Sequence, residues 1–412
     1  MKKLSVISRT YPSGFKATVL IRPEFNKKFM GIIVDFGGSD PQRLSGGAHF
    51  LEHKLYAKKT GDISKKIEDL DASTNAYTSY NETMFYIEFL AHWRKLVPLL
   101  FELVGSTHFT KENVVKESKI ISQELAMYQD DPNWKVSHDL LQRMYPGTNL
   151  AEDLTGTQAA INSMSPSTLE EIYQKNYYSG NLEFIACGGF TQGQAKSILR
   201  EVGKLQDNYF RHAKKKPIAS SVVKPKREHE NIILENVSVP LIGVGIRLPS
   251  LTSLPNLQAS STQLQVLLEM MLQIRLGASS SWFEDAQRKE IISSPLSIDV
   301  THTRQGSFAT ILGASNKPQE LLTEIKQQLK FGHILQSSFN LQKKNYIAQN
   351  IRELDQIDDL AIEEAELSLD NEKREDLLNK IQTMSFSEFC QIYEIIFGQS
   401  EVFTTILKGK SE

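Results

Sequence analysis

Two cysteines in 412 residues, Cys187 and Cys390, are too few and too far apart for a disulfide framework or a cysteine metal site. They read as buried, apolar-like side chains, a usage that fits a reducing compartment. No run approaches the ~18 apolar residues that a membrane-spanning helix needs, so no span is expected. The amino-terminal Met1-Lys2-Lys3-Leu4-Ser5-Val6-Ile7-Ser8-Arg9 has lysines but no long apolar core behind them. It does not read as a signal peptide, and a cytoplasmic chain is the expectation. Neither sign of charge is in excess: 47 Lys and Arg stand against 49 Asp and Glu, a formal net charge of −2. That balance gives no electrostatic case for nucleic acid or an anionic membrane. The two basic runs, Lys214-Lys215-Lys216-Pro217 and Lys224-Pro225-Lys226-Arg227, flank Ser220-Ser221 without interleaved aromatics and read as a solvated linker.

The length exceeds what one ordinary core supports, so two or more domains are expected. Apolar content of 40% and charged content of 23% describe a globular protein. Residues 15–36 alternate in strand fashion around Pro23 and read as a hairpin. Asp62 caps a helix over 63–69, and strands follow at 74–80 and 84–89. Helices are expected over 90–105, from Thr110 to about Asp130, and over 133–144, with an apolar strand at 182–187. After the linker a strand at 241–248 precedes a helix over 257–275. Strands near 297–313 follow, then helices near 318–330, 337–353 and 358–367. Met164-Ser165-Pro166-Ser167 through Tyr173, before one strand, matches Met384-Ser385-Phe386-Ser387 through Tyr393, before another, at an offset of 384 − 164 = 220 residues. Two similar α+β domains are the economical reading, over 1–205 and 231–412 with a linker at 206–230.

Histidine is also scarce, at nine residues, which gives weight to one stretch: Gly46-Gly47-Ala48-His49-Phe50-Leu51-Glu52-His53. Helical residues four apart share a face, so His49 and His53 can aim two imidazoles at one metal ion. Glu52 lies at the edge of that face, where a carboxylate can take a proton from water beside the metal. This His-x-x-Glu-His order is that of the inverzincins. The paired glycines suit a tight entry into the helix. A catalytic zinc needs a third protein ligand. The helix from Thr110 offers Glu117 and Glu124, seven apart on one face. Glu124 is the assigned ligand, with Glu117 as a supporting or alternate carboxylate. The bland reading is a solvated acidic stripe among Lys111, Lys116 and Lys119.

These residues, with Asn75-Ala76-Tyr77-Thr78, Thr83, Leu154-Thr155-Gly156-Thr157, Tyr177-Tyr178-Ser179-Gly180-Asn181 and Gly188-Gly189, resemble the pitrilysin/insulinase family of zinc peptidases. The likeness is to its short bacterial members, which are similar to mitochondrial processing peptidase. In the second half the resemblance is architectural. It implies two homologous α+β domains, each a mainly antiparallel sheet covered by helices, facing each other across a chamber. It implies one zinc per chain on His49, His53 and Glu124, Glu52 as general base, and Glu117 behind the ligands. Asn75 and Ala76 would hold an extended peptide by edge pairing. The family's second domain carries an Arg and a Tyr, seven apart, that grip substrate. Here those positions fall on Gln287 and Ser294, with Arg288 one residue off. Either the match is shifted, or a homologous partner subunit supplies the pair in a heterodimer; a homodimer is the other assembly. The implied activity is endoproteolysis of small or extended peptides, as in maturation of a bacterial peptide such as a bacteriocin. A non-catalytic scaffold on the same fold is the alternative.

Overall fold

A computed structural model describes residues 5–216, 223–249, 259–330 and 334–409. The centre of the expected linker, 217–222, and residues 257 and 258 of the expected helix lie outside them. The strands are β1 (Ser5–Thr10), β2 (Lys16–Ile21), β3 (Lys28–Val34), β4 (Ala57–Lys58), β5 (Gly61–Asp62), β6 (Ala72–Thr78), β7 (Thr83–Phe89) and β8 (Leu182–Gly188). After these come β9 (Glu230–Leu234), β10 (Leu241–Arg247), β11 (Ser297–Thr303), β12 (Gly306–Ala314) and β13 (Glu401–Lys408).

The chain forms two compact units. The first holds a six-stranded sheet in the order β1-β2-β8-β3-β7-β6. The second holds a five-stranded sheet in the order β11-β12-β10-β13-β9. Reversed, the second order matches the last five strands of the first, with β9, β13, β10, β12 and β11 in the places of β2, β8, β3, β7 and β6. The pairing senses match too: β2 with β8 and β13 with β9 are the parallel pairs, and the other neighbours are antiparallel. The helix starts at the 220-residue offset also coincide. Ser165 accepts the amide of Thr168, and Ser385 accepts that of Glu388. The fold is therefore a duplicated α+β architecture, as the internal match implies.

One local expectation fails. Residues 15–36 are not a hairpin, because β8 lies between β2 and β3, parallel to the first and antiparallel to the second. Alternation is read from one strand alone, and it cannot reveal a partner some 160 residues away. The strand β1 and the helix Gln192–Tyr209 were not foreseen either, although the helix opens on a Thr191/Gln194 capping box.

The units do not follow chain order. The first consists of residues 1–125, 153–218 and 351–374, and the second of residues 126–152, 219–350 and 375–412. The helix Ile357–Leu369, late in the sequence, packs on β8 and β3 of the first unit. It buries Ile357, Leu360, Ala361, Ala365 and Leu369 against Leu20, Phe29, Ile33, Met84, Ile185 and Cys187. At roughly 1.5–3 kcal/mol per large apolar side chain buried, that face is a main source of cohesion. The helix Pro132–Met144, early in the sequence, packs on β10 and β13, the matching strands of the second unit. Glycine permits the close seat there: a Cβ on Gly243 would lie 2.2 Å from Val136 Cγ1. Arg143 of this helix donates to Asp139 at 2.6 Å and to the Thr405 hydroxyl of β13 at 2.5 Å.

Candidate metal centre

The site lies in the first unit, on the opposite side of its sheet from the helix Ile357–Leu369. Its helix, Gly47–Leu55, is entered through Gly46 at φ 76°, where a side chain would be strained. A Cβ at Gly46 would also sit 2.2 Å from the Thr155 carbonyl oxygen. Gln42 accepts the amide of Ala48 at 3.0 Å, satisfying one open donor of the first turn. Phe50, Leu51 and Leu55 are fully buried, which fixes the rotation of the helix and the direction of its histidines.

The helix Lys111–Asp130 brings its carboxylates to meet them. His49 Nε2 lies 3.7 Å from Glu124 Oε1, and His53 Nε2 lies 3.8 Å from Glu124 Oε2. The rings sit 4.6 Å apart, tilted by 57°. Ligand atoms of His49, His53 and Glu124 all fall within 4.8 Å of one another. Two imidazole nitrogens and a carboxylate on a tetrahedral zinc lie about 3.3 Å apart, given bonds of about 2.0–2.1 Å. The donor set and its spacing therefore fit zinc with small adjustments. The solvated acidic stripe does not hold for Glu117 and Glu124, which turn inward to the histidines.

Glu117 stands behind this trio. Its Oε1 lies 3.1 Å from His53 Nδ1, and its Oε2 accepts from Lys54 Nζ at 3.0 Å. The hydrogen bond to Nδ1 leaves His53 Nε2 facing Glu124, the arrangement in which outer carboxylates orient metal-binding imidazoles. Burial would raise the Glu117 carboxyl, but His53 and Lys54 outweigh it and bring it down to about 2. Burial would lower His53; its bond to Glu117 and the carboxylates of Glu52, Glu117 and Glu124 outweigh that and raise it. His49 has no such partner. Burial first, then His53, pushes it down to about 4, so its imidazole is neutral near pH 7, the form that ligates. Its buried Nδ1 has no hydrogen-bond partner among the described residues.

Glu52 lies beside the trio, 8% exposed. Thr78, the last residue of β6, donates to its Oε2 at 2.7 Å. Burial raises the Glu52 carboxyl above the usual range, with Thr78 pulling the other way. That strand is an edge of the sheet, bonded to β7 on one side. Asn75 and Ala76 lie on it, and Asn75 Oδ1 accepts the amide of Ala76 at 2.9 Å. An open cleft of about 720 Å³ runs past Glu52, His53, Asn75 and Glu117.

The sequence reading missed Lys54, 4% exposed at the metal helix, and left Thr78 without a role. Lys54 stood three residues after Leu51 on the apolar face, a spacing that placed it inside. In the second unit, Gln287 and Ser294 are exposed and carry neither an Arg nor a Tyr. Ser280 caps the helix Ser281–Arg288, and Arg288 pairs with Asp285 one turn back. No helix among the described residues is long and apolar enough to cross a membrane.

Comparison with known proteins places both halves. Residues 24–158 match the model of Insulinase (Peptidase family M16), and residues 163–332 match that of the Peptidase M16 inactive domain. A relative named zinc protease YmfH, from Bacillus subtilis, is 27% identical over 329 residues, 77% of this chain and 76% of its own. Among solved structures, an M16-like peptidase from Alicyclobacillus acidocaldarius superposes with a TM-score of 0.87 at 20% identity, over 99% of both chains. A protease from Helicobacter pylori gives 0.83 at 18% identity, over 98% of this chain and 100% of that one. With a peptidase model on the half that holds the two histidines and an inactive-domain model on the half without them, this chain belongs to the insulinase family of peptidases.

Proposed function

We propose that the chain is a zinc endopeptidase, or the zinc-carrying subunit of one, that cleaves small or extended peptides. The observation that carries this reading is the convergence of His49, His53 and Glu124 beside a buried Glu52. His49, His53 and Glu124 would hold one zinc per chain. Bound there, zinc supplies Lewis acidity toward a carbonyl and lowers the pKa of water. Glu52 takes the proton of the attacking water and returns it to the leaving amine. Thr78 fixes one Glu52 oxygen, leaving the other for that proton. The free edge of β6, with Asn75 and Ala76, receives the peptide backbone as an added strand.

Exposed Gln287 and Ser294 favour a homologous partner that supplies the substrate-gripping Arg and Tyr, hence a heterodimer. Maturation of a bacterial peptide such as a bacteriocin, in the cytoplasm, is the setting that fits such a pair. The test is zinc content and peptide hydrolysis of the purified chain beside Glu52→Gln. Gln keeps an acceptor for Thr78 but cannot take a proton. One zinc, with hydrolysis that falls about 10²–10⁴-fold in the variant, supports the reading. One zinc without hydrolysis calls for adding homologous partners until cleavage appears. A chain that binds no zinc overturns it in favour of a scaffold.

A further inference from the structure

Lys54 is a buried cation that the chemistry above does not use. It follows His53 on the metal helix, is 4% exposed, and reaches Glu117 Oε2 at 3.0 Å. The other oxygen of the same carboxylate meets His53 Nδ1 at 3.1 Å. One carboxylate is thus divided between an imidazole and an ammonium. The carboxylates of Glu52, Glu117 and Glu124 surround the histidines, and that of Asp153 adds its negative charge toward His49. Against these four negative charges a divalent ion and one lysine leave an excess of one, and a divalent ion alone leaves an excess of two.

Lys54 acts on the ion in two ways of the same sign. It draws on Glu117, which then pulls less on the His53 Nδ1 proton, so His53 Nε2 is a weaker donor. It is also a fixed positive charge in a poorly solvated place, and it opposes a second cation nearby. From this sharing of Glu117 we infer that Lys54 is a positioning residue that loosens the hold on zinc and leaves the ion less neutralised by its ligands. The inference rests on the zinc reading above. It gives this chain a lysine-tuned centre, whose ion exchanges more readily and polarises a carbonyl more strongly than the same ligands would without the lysine.

The experiment measures zinc affinity at fixed pH by competition with a chromophoric chelator, for wild type, Lys54→Met and Lys54→Gln. Gln removes the charge but keeps a donor for Glu117. The expected result is tighter zinc in both variants, by about tenfold, with kcat lowered several-fold and KM unchanged. Weaker zinc in Lys54→Met with wild-type affinity in Lys54→Gln overturns the inference, since Lys54 would then only prop Glu117. Equal affinity in all three also overturns it. Should the Met variant fail to fold by circular dichroism, the Gln variant decides alone. A wild type that binds no zinc sinks the zinc reading and this inference with it, whereas zinc binding with unshifted variants sinks the inference only.

Discussion

Asp40 allows a pH-dependent stability to be worked through. It is 1% exposed, in the loop after β3, where its Oδ2 accepts the amide of Gly37 at 2.9 Å. Burial pushes its carboxyl from 3.8 up to about 7; the Gly37 amide and Lys215 pull it down, and Glu82 pushes it further up. The folded pKa is the raised one, so the group's contribution is fully present below about pH 4 and is lost as pH rises through about 7. At 1.36 kcal/mol per pH unit, ionised Asp40 costs about 4 kcal/mol by pH 8, against about 1.5 kcal/mol at pH 5, where only the unfolded chain has ionised. Asp40→Asn resembles the protonated form and keeps an acceptor for Gly37. The advantage of the variant over wild type should therefore widen by about 2–3 kcal/mol from pH 5 to pH 8. Hydrogen exchange of the β3 amides reads this out for the unit that holds Asp40. An advantage that stays flat or shrinks with pH would refute the reasoning.

Thr78→Val removes the hydroxyl that holds Glu52 Oε2. A hydrogen bond to a charged group is worth about 1.5–3 kcal/mol, so kcat should fall at least tenfold with zinc content intact. Thr78→Ser should recover most of the loss, and equal kcat in all three enzymes would remove Thr78 from the chemistry. Leu360→Ala, at a fully buried position of the helix Ile357–Leu369, should cost about 2–5 kcal/mol and lower exchange protection in β8 and β3. Protection confined to its old value in those strands would mean that the helix contributes little to the first unit.

The metal pair was legible because it is local. Four-residue spacing on a helix is a geometric fact of the sequence, and Glu117 and Glu124, seven apart, share one face of the later helix Lys111–Asp130 by the same logic. The duplicated architecture was legible because the same capped helix start recurs 220 residues on. What stayed hidden was long-range. No pattern in 15–36 announces β8 between its two strands. Nothing in 357–369 says which of two similar sheets it will cover, since both present an apolar face of the same kind. Lys54 was hidden for another reason: charge outweighs position in a casual reading, and a lysine is taken as solvated unless a buried carboxylate is known to await it.

The late arrival of the helix Ile357–Leu369 has a consequence during synthesis. The first unit's sheet is complete in sequence at Gly188, yet its covering helix ends 369 − 188 = 181 residues later. At about 5–20 residues per second on the ribosome, that interval lasts roughly ten to thirty-five seconds. Throughout it, Leu20, Phe29, Ile33, Met84 and Ile185 form an apolar face with no cover from their own chain. A nascent chain in that condition is a natural client for a chaperone, and the unit that carries the metal ligands cannot finish folding until almost the whole protein has been made.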